Sequence, residues 1–379
     1  MSEYQYYQFL AVDQALDDRQ LAELRALSTR ATITPTSFVN TYDWGNFRGN
    51  PSALMEKYFD AFLYLANWGT RQLMIRLPSQ LLDLDAAQAY CPGEAASVWA
   101  EGDHVILALA SEDEDGDFEY GGDGWLASII PVRGELAAGD RRLLYLAWLL
   151  CVQAGALDDD EVEPPVPAGL TTLSASLRAF VDFLRLDEDL LAVASEASPQ
   201  PRSTAASEGE LRRWIEALPA QDKDALLLRM VRGDDAHVSA ELVRRFHDDQ
   251  AIPDESEAEG RMVGDLLLAA ERRSMHRARR AKERQARERD RQERAAVVAR
   301  DERLRALAAQ EEPAWQRVSE LIDTKKPKKY DEAVALLTDL RALGEREGRV
   351  DVVAERLDQL RRQHHTKPSL LERFARAGL

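Results

Sequence analysis

The chain has 379 residues, 45% of them apolar and 31% charged, with a net charge of −18. That length suits two or three domains, and no run of 18 apolar residues is present to cross a membrane. The opening MSEYQYYQFL lacks the basic-then-apolar order of a signal peptide, and the two cysteines, Cys91 and Cys151, fit buried thiols in a reducing cytoplasm better than a disulfide framework.

The first third reads as alternating strands and helices. YQYYQFLAV is aromatic enough for a strand, and LDDRQLAELRALS places Leu16, Leu21, Leu24 and Leu27 at helical spacing, with Asp17 or Asp18 at its start. TITPTSFVNTY supplies a second strand. PSALMEKYFDAFLYLANWG reads as one helix opened by Pro51 and closed at Gly69, and RQLMIRLP as a third strand. This order is compatible with a small split βαβ, ferredoxin-like sheet. HVILALA and GWLASIIPV both look strand-like, and residues 140–156 form a strongly apolar helix.

Pro164, Pro165 and Pro167 then punctuate the chain. Helical spacing resumes over 170–193 with a break, and again over 211–246 with a restart at Pro219. Residues 271–310 contain no proline or glycine and are rich in Arg, Glu and Ala, which predicts a long charged helix stabilised by i,i+4 pairs, with heptads too irregular for a coiled coil. Four further helices close the chain. The expected fold class is α+β: an acidic α/β module over 1–160, a helical segment over 161–198, a linker over 199–209, a helical module over 210–258, the long helix over 259–312 and a helical docking module over 313–379.

Charge divides the chain more sharply than the average suggests. Residues 1–260 carry 20 basic and 46 acidic side chains, and residues 261–379 carry 29 and 21. The acidic part is a poor nucleic-acid binder, whereas the basic part suits an acidic partner. Between 271 and 294 there are 11 basic and 5 acidic residues. Arg272, Arg273, Arg277, Arg279, Arg280, Lys282 and Arg284 are candidate phosphate contacts, joined by Lys325, Lys326, Lys328 and Lys329 before Tyr330. A solvated helix explains the same residues, and no aromatic platform for single strands accompanies them.

One early segment mixes binding chemistry. In FVNTYDWGNFRGNP, Asn40, Tyr42, Asp43, Trp44, Asn46 and Arg48 could line a recognition surface held by turns at Gly45 and Gly49, and a hairpin built of ordinary turn residues explains them equally. The acidic DEDGD at 113–117 departs from the spacing of a calcium loop and suits a solvated turn. GGDGW lacks the lysine of a phosphate loop. His104, His237 and His247 belong to no regular ligand set. No metal, cofactor or catalytic residue is therefore expected.

The stretch WQRVSELIDTKKPKKYDEAVALLTDLRAL, followed by VVAERLDQLRRQHHTKPSLLERFARAGL, is similar to the helical tail of bacterial SWIM zinc-finger family proteins. Trp315, Tyr330, Asp331, Ala333, Leu336, Leu337, Leu340, Leu360, His364, Lys367, Leu370, Leu371 and Leu379 carry the similarity, over about 65 residues. The zinc finger itself is missing, because two lone cysteines at 91 and 151 cannot form its cysteine-histidine set. The resemblance implies a helical interaction module, docked through Trp315, Tyr330, Leu370, Leu371 and Phe374, and used alongside nucleic-acid-processing proteins. The opening YQYYQFLAVDQALDDRQLAELRALSTRATITPTSF also resembles a group of uncharacterised bacterial proteins and brings no activity with it.

These readings converge on a non-enzymatic adaptor or scaffold in a bacterial complex, with a protein partner and no membrane. The alternatives are a nucleic-acid accessory protein that uses the basic helix over 272–305, and an enzyme with a pocket around residues 40–48.

Overall fold

Alternation organises the first strand. In β1 (Gln5–Leu10) Tyr7 and Phe9 face one side of the sheet, while Tyr6 faces the other. The computed structural model describes residues 3–113, 121–200, 208–232, 237–250 and 260–379, without the side chains of 247, 248 and 250. They form two compact units, Met1–His276 and Arg277–Leu379.

In the first unit α1 (Asp18–Leu27) follows β1. Asp17 accepts from the Gln20 amide at 2.8 Å and the Gln20 side chain accepts from the Asp17 amide at 2.9 Å, a reciprocal cap on the helix start. Next come β2 (Thr32–Thr34) and β3 (Ser37–Tyr42), a hairpin turning at Pro35–Thr36, then α2 (Pro51–Lys57) and β4 (Ala61–Ala66). The expected single helix over 51–69 is thus corrected to a short helix and a strand. All six residues of β4 are buried, so both faces are apolar and no alternation marks the strand in sequence.

After β5 (Arg71–Pro78) come α3 (Leu84–Gln88), the edge strand β6 (Ala96–Glu101) and β7 (His104–Ser111). The seven strands lie in the order β2-β3-β1-β4-β5-β7-β6, and every pairing is antiparallel. The sheet is wider than the small sheet expected. A split βαβ connection is nevertheless present, since β3 and β4 flank β1, both antiparallel to it, with α2 as the crossover.

Two cores sandwich the sheet. On one side Phe9 lies 4.5 Å from Phe62 and 5.0 Å from Phe59 between ring centroids, under Leu24, Leu54 and Met55 of α1 and α2. Each fully buried ring of this kind contributes about 2–3 kcal/mol of burial. On the other side Leu63, Leu65, Leu73, Ile75, Val105 and Leu107 pack against helices. These are α4 (Trp125–Ile129), α5 (Pro131–Ala137), α6 (Arg142–Gln153), α7 (Ala175–Leu184) and α8 (Glu188–Ser195). GWLASIIPV, expected as a strand, is two short helices; Pro131 opens the second, and Leu126, Ile129 and Val132 are buried at helical spacing. The break between α7 and α8 is Arg185, whose left-handed backbone (φ 53°) ends the first helix. The proline-punctuated stretch lies within this unit, where Pro165 accepts a hydrogen bond from Tyr90 at 2.9 Å.

Three more helices follow, α9 (Glu208–Ala217), α10 (Ala220–Arg232) and α11 (Val238–Gln250), joined by Trp214 against Phe246 at 5.5 Å. The chain then reaches α12 (Val263–Ala308), within which the boundary between the units falls. Its first turns bury Val263, Leu266 and Ala270 in the first unit.

The second unit contains the rest of α12, then α13 (Glu311–Asp323), α14 (Pro327–Arg346), α15 (Val350–Gln363) and α16 (Pro368–Arg376). Trp315, Val318, Ile322, Leu337, Leu357 and Phe374 form its core. Pro368 occupies the first turn of α16, and Leu370 and Phe374 point inward. The C-terminal segment is a docked helix, sealed by Leu379.

Candidate functional site

The mixed segment after β3 turns at Gly45, whose positive φ of 79° suits glycine. Gln5 fixes that turn by donating to the Gly45 carbonyl at 2.9 Å and to Asn46 Oδ1 at 3.1 Å. Tyr42, Trp44, Asn46 and Arg48 thereby come together around a cleft of about 430 Å³, with Ser28 and Arg30 from the end of α1 on the other side. The Arg30 guanidinium sits 4.7 Å above the Trp44 ring, which is 68% exposed. Asn40 lies beneath the cleft, 2% exposed, and its amide donates to Ser28 Oγ at 2.9 Å and the Tyr42 hydroxyl at 2.8 Å. Asp43 is exposed and does not line the cleft. Among the lining residues there is no imidazole, carboxylate or thiol; the walls offer the Trp44 ring, the Arg30 and Arg48 guanidinium groups and the Tyr42 hydroxyl.

A second cleft, about 420 Å³, lies where α11 meets the sheet body, and sequence reading did not find it. Beneath it, Asp60 is 1% exposed in the connection just before β4. Its Oδ2 accepts from the amides of Val12 (2.7 Å) and Asp13 (2.9 Å), and its Oδ1 from Arg76 Nε (3.2 Å) and Nη2 (2.9 Å). Arg133, on α5, donates Nη1 to Asp13 at 2.7 Å, pairs with it a second time through Nη2, and gives Nε to the Arg76 carbonyl at 2.8 Å. His237 Nε2 reaches Asp13 Oδ2 at 2.8 Å. Burial alone would raise the Asp13 pKa, but hydrogen bonds from His237 and Arg133, with the guanidinium charge, bring it down to about 2. Burial, reinforced by Arg76, also holds His104 below the usual histidine range. These charges are spent on one another, so the network fastens α11 to the body rather than presenting a reactive group. Nothing local in sequence could flag it, because its members stand at 13, 60, 76, 133 and 237.

The two thiols are free, and burial pushes Cys91 up to about 12, which makes it a poor nucleophile. Among the described residues no group of three or more His, Cys, Asp or Glu side chains could hold a metal ion. The DEDGD segment lies outside the described residues except for Asp113, which pairs with Arg185 at 3.2 Å. Among the described residues no helix is long and apolar enough to cross a membrane.

The basic candidates are exposed except Lys329, which is half-buried. Arg272 and Arg273 belong to the first unit, where Arg273 reaches Asp189 at 3.4 Å. Arg277, Arg279, Arg280, Lys282 and Arg284 belong to the second, where Arg279 pairs with Glu283 at 3.0 Å. Among the described residues of 271–294 that is the i,i+4 ion pair within 4.0 Å, although Glu283 and Arg287, Arg284 and Glu288, Arg289 and Glu293, and Asp290 and Arg294 share the spacing. Lys325, Lys326, Lys328 and Lys329 surround the α13–α14 turn, with Lys329 bound to Glu332 at 2.7 Å. Of the docking residues, Trp315, Tyr330, Leu370 and Phe374 are buried in their own unit and Leu371 is half-buried.

A different surface is apolar and open. Leu227, Met230 and Val231 share one face of α10 with exposures of 59, 54 and 84%, next to Leu228 and with Ile215 exposed on α9. Sequence periodicity assigned these leucines to helices without showing that the face would stay uncovered.

No family model, curated protein or solved structure matches this chain.

Proposed function

We propose that the chain is a non-enzymatic adaptor that holds a protein partner against the outer face of α9 and α10. The observation that carries this reading is the run of exposed apolar side chains at Leu227, Leu228, Met230 and Val231, placed on helices whose inner faces are already occupied by Trp214, Leu226 and Phe246. Exposed aliphatic area of this kind suits burial in an interface. The cleft at Trp44 presents planar and cationic groups, Trp44, Arg30 and Arg48, which suit recognition. The free thiols suit a reducing cytoplasm, the split βαβ arrangement is compatible with a widened ferredoxin-like sheet, and the tail similar to SWIM zinc-finger proteins is consistent with work inside a larger bacterial assembly.

The test is recovery of a stoichiometric complex from the native cell after nuclease treatment. Retention by the parent chain, loss with Leu227→Asp/Val231→Asp, and retention with the exposed control Val352→Asp would support the assignment. Absence of any complex, or equal recovery by the ridge variant, would refute it.

A further inference from the structure

Within the second unit, Arg280, Arg284, Arg287, Arg291 and Arg294 succeed one another at steps of four, three, four and three along α12. At 3.6 residues per turn this puts five guanidinium groups within about 80° of arc and about 21 Å of helix. All five are exposed, and among the described residues none has an acidic partner within 4.0 Å. Glu283, Glu288 and Asp290 flank the stripe, and Glu293 lies further round the helix. We propose that this stripe binds the phosphate backbone of a nucleic-acid duplex without reading its sequence.

Three observations choose this ligand. The charges come at about 5 Å intervals in a straight row, which suits a linear polyanion better than a compact one, and guanidinium forks pair with phosphate oxygens bidentately. No Phe, Tyr or Trp occurs between residues 261 and 314, so stacking of unpaired bases has no platform. Gln285 and Gln292, which could read base edges, lie about 100° or more round the helix from the middle of the stripe. At physiological salt, charges beyond about 8 Å are largely screened. What the ligand meets is therefore the local balance, nine basic against four acidic residues over 277–294, rather than the net −18.

Binding of the full chain to a 20-base-pair duplex should be measured by fluorescence anisotropy from 50 to 200 mM salt. Five phosphate contacts give a slope of about −4.5 in log affinity against log salt, or about a 500-fold loss over that range. Arg284→Glu/Arg291→Glu should flatten the slope by about 2 and weaken binding at least tenfold at 50 mM salt. Arg289→Glu, with a like change of charge per site on the opposite face, should bind nearly as the parent does. Arg and Glu have similar helix propensities, so the variants keep the helix. No binding at 50 mM salt, equal loss with Arg289→Glu, tighter binding to a single strand, or equal competition by polyglutamate would each overturn the assignment.

Discussion

Asp60→Asn tests whether the sheet body depends on its buried charge network. The substitution conserves shape and removes one acceptor. Turned one way, the new amide faces the donors of Val12 and Asp13; turned the other way, it faces Arg76 Nε and Nη2. Neither orientation satisfies all four donors, and Arg76, 12% exposed at its side chain, loses its carboxylate. Breaking a buried pair on one side costs about 3–5 kcal/mol. With a urea slope of about 3 kcal/mol/M, the midpoint should fall by about 1 M or more while the slope stays unchanged. Hydrogen exchange at β4 and β5 localises that loss to the first unit. Adding Arg76→Met should restore part of the stability, because the orphaned cation is gone. A midpoint within about 0.3 M of the parent, or no recovery in the double variant, refutes the reasoning.

Two pH dependences accompany it. Asp13 is depressed to about 2 in the folded chain against 3.8 unfolded, so its stabilisation is complete above about pH 4 and is lost as pH falls from 4 to 2. Arg133→Met should flatten the urea midpoint against pH across that window, and an unchanged profile would disprove the assignment. In the second unit burial, followed by the Lys367 charge, holds His364 below its ordinary 6.5. Its folded form therefore favours the neutral ring, and stability declines as pH drops through about 6.5 and below. His364→Gln should remove that decline in hydrogen exchange of α15 and α16 between pH 7 and 5; persistence of the decline would assign it elsewhere.

Legibility followed locality. The strands at 5–10, 71–78 and 104–111 and the four C-terminal helices could be read from short periodic patterns, because each buries one face or lies between flanking turn residues. β4 could not, since a run buried on both faces fits a helix as well as a strand. β6 was missed because an edge strand that leaves Ser97, Ala100 and Glu101 exposed has little apolar pattern. The cleft at Trp44 was visible because five of its contributing side chains fall within nine residues. The Asp60 network was invisible, being assembled by tertiary contact across more than 200 positions. The arginine row was half legible: composition found its start at Arg280 and Arg284, and only counting steps along the helix extends it to Arg287, Arg291 and Arg294.

Two stretches far apart in sequence meet inside the first unit. Val162 pairs with Met262, Glu163 binds Arg261 at 2.7 and 2.8 Å, and Arg261 also donates to the carbonyls of Val193 and Ala194. The end of α8 at residues 193–194 and the return of the chain at Arg261 are thus side by side. The described helices between them, α9, α10 and α11, form a cassette whose two flanks meet at the body. Its interior sequence can be exchanged by evolution or by the engineer without rerouting a strand, while α11 keeps the cassette registered through His237 on Asp13 and Arg244 on the Gln80 carbonyl. Substitutions on the outer face of α9 and α10 can therefore leave the seven-stranded sheet unchanged.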